Sequence, residues 1–329
     1  MWHELLHIPY LRYRIVCRVT GPLLYLPPLY ELHESAFGRE GKPNSRGRVF
    51  YSLVRDWLRR QFTCTSRNPC PGCQQGSPCD WMALFGNLPE EASHHFVIVP
   101  PLAPKKVYRA GETFAWEIKL LGRSAAHELF ATRFMPALEM GGLLAGVGNW
   151  SELVDGHFGR FEIAQVSVDA GNAWQEIYNR KQWFHQHVAP LYLDRMLPAM
   201  LNHQAYSTIT WITPFCLQKK HENLTQVTLA DLLYFIWRRL CVLHQGNVDK
   251  ILLHNILQQA DKTEMLHHDL LPIASYREHD TLYRIGRIAY SHIPDALLPL
   301  CLAGSLIHIG KSTRYGYGTY CLPVESMKD

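Results

Sequence analysis

The 329-residue sequence has no run of eighteen apolar residues, and it does not open on a cationic lead followed by an apolar stretch and a small-residue cleavage site. Neither a membrane span nor a secretory signal is therefore expected, and a soluble intracellular protein is the default. An even set of cysteines is also missing. There are nine, four of them tightly clustered, which points to metal binding in a reducing compartment rather than to a disulfide framework. A complete nucleotide-binding loop is absent as well. The stretch SLIHIGKSTRYGYGTY (residues 305–320) contains Gly310-Lys311-Ser312, but the upstream Gly304 stands one residue too early for G-x-x-x-x-G-K-[ST]. From Tyr315 to Tyr320 the chain alternates aromatic residues with glycine and reads as a strand where that motif needs a helix. Finally, no acidic residue occurs between positions 296 and 323, so the cations of this segment have no local counter-charge.

What is present suffices for two hydrophobic cores, with 47% hydrophobic residues, and the balance is mildly basic at +4 with histidine neutral. Such a charge fits a nucleic-acid binder without requiring one. Its distribution says more, because residues 36–67 carry eight Lys/Arg against two acids, a local excess of +6.

Along the chain, Leu11 to Val19 alternates apolar residues with Arg12, Arg14 and Arg18, the pattern of a strand with one cationic face that either meets solvent or meets RNA. From Arg46 to about Phe62, Phe50, Leu53, Val54, Trp57 and Leu58 recur at helical spacing, with Arg48, Arg55 and Arg59 on another face. Strands are expected at 95–99 and 113–121, a helix from Ala125 to about Met140 ended by Gly141-Gly142, and a strand over 159–166. This order, β-α-β-β-α-β, is that of a ferredoxin-like domain. A polar and aromatic connector at 167–205, with a helix around 191–201, leads to a second half of similar pattern. Its elements are a strand at 207–217, helices at 229–244 and 248–260, strands at 271–277 and 283–290, a helix at 295–301 and a closing glycine-rich strand. The sequence is thus read as α+β, with two tandem ferredoxin-like domains at 1–166 and 206–329.

Two clusters carry chemistry. Cys64, Cys70, Cys73 and Cys79 have the spacing C-x5-C-x2-C-x5-C on Gly/Pro-rich turns. Four thiolates so placed can close a tetrahedral zinc site with no open position, which makes the metal structural, although free cysteines are the alternative. The closing segment offers His308, Lys311, Arg314, Tyr315 and Tyr317. Glycines there let a backbone approach a polyanion, cations neutralise phosphate and tyrosines stack on unpaired bases. A tight turn packed on the partner domain is the competing reading, and the lack of carboxylates favours RNA. His33, three residues after Tyr30 in an irregular stretch before the basic helix, stands where phosphate would be held.

With these pieces placed, the sequence resembles the RAMP superfamily endoribonucleases that process CRISPR precursor RNA, the family usually called Cas-six. The most specific part is LAGSLIHIGKSTRYGYGTY, similar to the family's glycine-rich signature; CTSRNPCPGCQQGSPCDWMALFG resembles a cysteine-rich insert of one subgroup. HHFVIVPPL, GETFAWEIKLLG and TITWITPFCL are similar to further blocks. The resemblance implies two tandem ferredoxin-like domains and metal-independent chemistry, in which the 2′-hydroxyl attacks the adjacent phosphate to leave a 2′,3′-cyclic phosphate and a 5′-hydroxyl. It implies His33 as general base, Tyr30 and Lys42 as phosphate stabilisers, and Lys311 and Arg314 as holders of the RNA backbone, with His308 either supporting that loop or acting as an alternative acid or base; Arg46, Arg48, Arg55 and Arg59 of the basic helix and His308, Tyr315 and Tyr317 of the closing segment are the other expected RNA contacts. It further implies a structural zinc, no catalytic metal, CRISPR repeat RNA and other Cas proteins as partners, a monomer or homodimer, and a place in the prokaryotic cytoplasm. Asn149 and Trp150 stand where the family has arginines after its glycine-rich turn. An inert RAMP subunit that holds crRNA in an effector complex shares every binding feature and lacks only the histidine chemistry. A zinc-stapled interaction domain with no RNA role is the third reading.

Overall fold

A computed structural model describes residues 3–30, 45–61, 84–85, 95–148, 159–184, 187–200, 206–244, 250–273 and 282–323. The cysteine cluster at 64–79, His33 and Lys42 lie outside these residues, as do Asn149 and Trp150.

The first domain is built on β1 (Pro9–Val19), followed by helix α1 (Arg46–Gln61), β2 (Phe96–Val99) and β3 (Thr113–Leu121). A helical stretch from His127 includes a π turn at Phe130–Phe134 and continues as α2 (Met135–Leu144), after which comes β4 (Phe161–Asp169). These strands lie in the order β2-β3-β1-β4, all antiparallel. This is the arrangement of a ferredoxin-like sheet, with the two crossover helices on one face.

Helix α2 runs through Gly141 and Gly142 instead of ending there. A Cβ at Gly141 would meet the Trp57 ring, and one at Gly142 the Phe161 ring, so these glycines admit close packing of α2 on α1 and on the sheet. The expected connector is likewise part of the domain. Trp174–Asn179 (β5) and Gln182–Trp183 (β6) extend the sheet beyond β4, and Leu191–Tyr192 (β7) pairs with the start of β1 before α3 (Leu193–Met200). Short alternating segments rich in aromatics here satisfy β geometry, which the polar connector reading missed.

The second domain repeats the order. Its elements are β8 (Thr208–Phe215), α4 (Leu229–His244), α5 (Lys250–Ala260), β9 (Met265–Ile273), β10 (Tyr283–Tyr290), α6 (Leu298–Ile307) and β11 (Tyr320–Cys321), with sheet order β9-β10-β8-β11. All three pairings are antiparallel. Strand β9 starts six residues earlier than expected, because MLHHDLLPI keeps pairing across a bulge between Met265 and His267. The glycine-rich segment is not a strand until Tyr320. Gly310, Gly316 and Gly318 have φ of 89°, 82° and 77°, and a short 3₁₀ turn occupies Thr313–Tyr315. Aromatic–glycine alternation imitates the period of a strand, but left-handed glycines make turns.

Two cores result. Tyr13, Ile15 and Cys17 of β1 pack with Phe50, Trp57, Phe130 and Phe134 beneath the first sheet. On the sheet's other face, Tyr10, Val97, Val99 and Leu121 join the second domain's core with Trp237, Leu240 and Leu243 of α4. That double burial places the glycine-rich segment against the first domain. No helix among the described residues is long and apolar enough to cross a membrane.

Candidate nucleic-acid interface

Helix α1 begins at the root of the segment that carries His33 and Lys42. The Arg46 amide donates to Pro28 O at 3.2 Å, so the chain leaves at Pro28 and returns at Arg46 at almost one point. The Arg46 side chain locks this root. The residue is 1% exposed, and its guanidinium donates to the carbonyls of Pro27, Pro101, Ala103 and Lys105 at 2.6 to 3.2 Å. Burial lowers its pKa from the usual arginine range. The expectation that Arg46 touches RNA is therefore corrected: its donors are engaged by four backbone oxygens, two of them buried. Tyr30 is partly buried against the second domain's core.

The glycine-rich turn closes on this root from the second domain. A Cβ at Gly47 would collide with Tyr315 O, and one at Gly316 would lie 2.5 Å from Ile98 O. Gly310 approaches Cys216 O in the same way, and the Lys311 amide donates to that carbonyl at 3.0 Å. The glycines thus serve close backbone contact within the protein, the packed-turn reading that the sequence left as the alternative. Thr213 fastens the turn, its hydroxyl donating to Gly316 O at 2.8 Å and accepting from the Thr319 amide at 3.0 Å. Because Gly310-Lys311-Ser312 comes after the end of α6 rather than before a helix, the phosphate-loop geometry is absent.

His308 is corrected too. It is fully buried, with Nδ1 3.1 Å from Tyr317 O and Nε2 2.9 Å from Lys119 Nζ, which also donates to Leu306 O at 2.9 Å. The Tyr317 carbonyl assigns Nδ1 as the donor, leaving Nε2 to accept from the lysine. Burial, then the nearby Lys119 charge, drives the His308 pKa well below the usual value, and burial pulls Lys119 down to about 7. This link joins β3 to the glycine-rich turn across the domain boundary and offers RNA nothing.

What remains is a set of partly exposed cations laid over buried tyrosines. Arg314 lies over the rings of Tyr51 (5.3 Å) and Tyr315 (4.9 Å), while Arg48 lies over Tyr315 at 5.4 Å. Tyr51 and Tyr315 meet edge to face at 5.0 Å. Burial raises the Tyr51 hydroxyl to about 12 against the opposing pull of Arg314. Tyr315 is buried by these contacts, so it orients cations rather than stacking on a base. Tyr317 is half-buried and edge-on to Tyr283 at 5.2 Å, whose hydroxyl is hydrogen-bonded to Ser312 at 2.7 Å. Lys311 is half-buried beside them. Arg55 and Arg59 are exposed, the former bonded to Asp56 at 2.9 Å.

A second cationic place lies on the helix-free face of the first sheet, beyond the part that meets the second domain, where Arg14 and Arg12 sit over Trp174 at 4.1 and 5.0 Å. Here Glu117 binds both arginines and Asp169 binds Arg12, so the charge is largely balanced. Sequence reasoning missed Tyr51, Lys119 and Thr213. Gly47, set between two arginines at a helix start, was the one signal that a neighbouring backbone comes close there.

Comparison with known proteins bears on the fold. The family model described as "CRISPR-associated endoribonuclease Cas6" matches residues 209–320, and a model described as an N-terminal domain matches residues 43–190. No curated protein matches the sequence. Among solved structures, a partial Cas6-RT-Cas1–Cas2 complex superposes with a TM-score of 0.57 at 14% identity over 98% of this chain, which spans only 47% of the length of that chain. A Thermus thermophilus Cas6 product complex gives 0.55 at 14% identity over 96% of this chain and 99% of the other. Likeness at this identity concerns the fold.

Proposed function

We propose, since the chain belongs to the CRISPR-associated endoribonuclease Cas6 family, that it cuts precursor CRISPR RNA within the repeat and keeps the product. The single observation that carries the proposal is the convergence of Arg48 and Arg314 on the Tyr51–Tyr315 pair, beside the root of the segment bearing His33. The positive N-terminal end of α1 adds to this field.

In the proposed reaction His33 takes the proton of a 2′-hydroxyl, whose oxygen bonds to the adjacent phosphorus as the bond to the 5′-oxygen breaks. The departing oxygen takes a proton from water, leaving a 2′,3′-cyclic phosphate and a 5′-hydroxyl. Imidazole suits the first step, because its ordinary pKa of about 6.5 lies near working pH. Tyr30 and Lys42 are proposed to steady the phosphate, with Arg48, Lys311 and Arg314 offsetting its growing charge. His308 is left out of the chemistry by its burial. No step calls on a metal ion.

Cys64, Cys70, Cys73 and Cys79 form a donor set of the structural zinc class, four thiolates with no ligand position left for substrate. We assign them a zinc that orders the insert, with no part in cleavage; zinc analysis of the purified chain should give one ion, lost in Cys70→Ser/Cys73→Ser.

Repeat RNA and other Cas proteins are the proposed partners, in line with the assemblies named for the structural neighbours. The test is cleavage of end-labelled repeat RNA by wild type and His33→Ala in excess EDTA. Wild type should cut, and the variant should bind equally and cut about 10²–10⁴-fold more slowly. Tight binding without cutting by either protein would select the inert crRNA-holding subunit.

A further inference from the structure

Six described residues other than glycine have a positive φ, and four of them stand in pairs at the tips of two hairpins. Arg180 (46°) and Lys181 (69°) join β5 to β6, and Lys220 (52°) and His221 (67°) join the two-residue strands Gln218–Lys219 and Glu222–Asn223. Two left-handed residues in a two-residue loop make a type I′ turn, for which Asn-Gly is the relaxed sequence. A side chain with a Cβ is strained there, and such strain gathers where a function needs the residue. Both tips carry basic side chains instead of the relaxed pair.

Place separates the two. The 220–221 hairpin continues the glycine-rich turn outward: the Lys311 amide donates to Cys216 O at 3.0 Å, Gly310 lies against Cys216 and Leu217, and the Leu224 amide donates to Leu217 O at 2.9 Å. At the hairpin's foot Asn223 Oδ1 accepts from Gln218 Nε2 at 2.9 Å and from the Leu282 amide at 3.3 Å, next to Tyr283, whose hydroxyl is hydrogen-bonded to Ser312. The tip thus stands on a braced base beside Lys311. The 180–181 tip belongs to the other side of the first sheet from β2, where Gly316 meets Ile98. Four strand spacings, roughly 20 Å, separate β2 from β5.

Charge agrees with this division. Lys219 is bound inward, 3.6 Å from Asp231 and over the Tyr234 ring at 5.9 Å, and Glu222 stands across from it in the ladder. Lys220 and His221 are exposed, and neither forms an ion pair among the described residues. A polyanion that crosses Arg48, Arg314 and Lys311 meets these two side chains next.

We propose that the Lys220–His221 tip is a phosphate contact for the stretch of repeat RNA beside the cut, holding the strand without entering the chemistry. The proposal rests on the endoribonuclease reading and extends it to residues which that reading does not use.

The test replaces each tip by the relaxed turn, Lys220→Asn/His221→Gly and, as the matched control, Arg180→Asn/Lys181→Gly. Both variants should fold with denaturant midpoints at or above that of wild type, because strain is removed. Binding of end-labelled repeat RNA, and its cutting in excess EDTA, are followed separately at rising protein concentration. The 220–221 variant should need about fivefold more protein for half-saturation at ~0.1 M salt and lose about 0.7 from the log–log salt slope, one phosphate contact on a single strand. Its rate at saturation should equal that of wild type, and the control should match wild type throughout. Unchanged binding in the 220–221 variant, equal losses in both variants, a lower rate at saturation, or a midpoint below wild type would each overturn the proposal and leave the endoribonuclease reading standing. A wild type that neither binds nor cuts repeat RNA would overturn both.

Discussion

The two domains have the same strand order and use it differently. In the first, β5 and β6 extend the sheet past its fourth strand, and one face is given to the partner domain. In the second, the fourth strand shrinks to two residues, and the chain before it is spent on a turn that reaches back to α1. The glycine-rich segment is thus first an interdomain clasp. Gly316, Gly310 and Gly318 face the backbones of Ile98, Cys216 and Ile309 within the protein.

This contrast is most vulnerable at Gly47. An alanine there puts a Cβ against Tyr315 O, so Gly47→Ala should cost about 3 kcal/mol, the upper end for overpacking, read as a fall in denaturant midpoint. Arg46→Met should come next, at about 2–3 kcal/mol, because it strips four backbone carbonyls, two of them buried, of their donor. If instead Arg46→Met left stability unchanged and reduced RNA binding, the division between clasp and interface would be wrong.

The Lys119–His308 link makes the clasp sensitive to pH. Lys119 titrates near 7 when folded against about 10.4 when unfolded, so between these values the unfolded chain binds more protons. Its contribution to stability must rise with pH from about 7 to 10 and be flat just below 7. His308, depressed below its usual value, adds a loss of stability as pH falls through about 6.5. Denaturation of wild type against Lys119→Met across this range should show the first slope in the difference. The smallest effect belongs to the surface. Arg48→Gln/Arg314→Gln should leave folding nearly unchanged and reduce the salt dependence of single-stranded RNA binding by about 1.4 in log–log slope.

The sequence shows plainly what depends on local periodicity. The strand 113–121, the helix 229–244 and the strand 283–290 have the bounds their alternation predicts. Helix α1, with its apolar stripe and separate arginine face, is equally legible. What it conceals depends on the other domain or on distant loops. Arg46 has the same side chain as Arg48, and only the carbonyls of residues 101–105 decide that one is a buried brace and the other a surface cation. His308 and Lys119 are 189 residues apart and announce their pairing by no local pattern. Gly316 and Gly318 sit in an alternation that fits a strand, and the φ values that forbid one are set by packing on Ile98 and Ile309.

The central claim is that this clasped pair of domains holds a repeat RNA while a 2′-hydroxyl cuts it. Repeat RNA carrying a single 2′-deoxy substitution at the cut should bind as tightly as the all-ribose strand and remain whole, while the all-ribose strand yields 2′,3′-cyclic phosphate and 5′-hydroxyl ends in excess EDTA. Cutting of the deoxy strand, or products with a 5′-phosphate, would contradict the account.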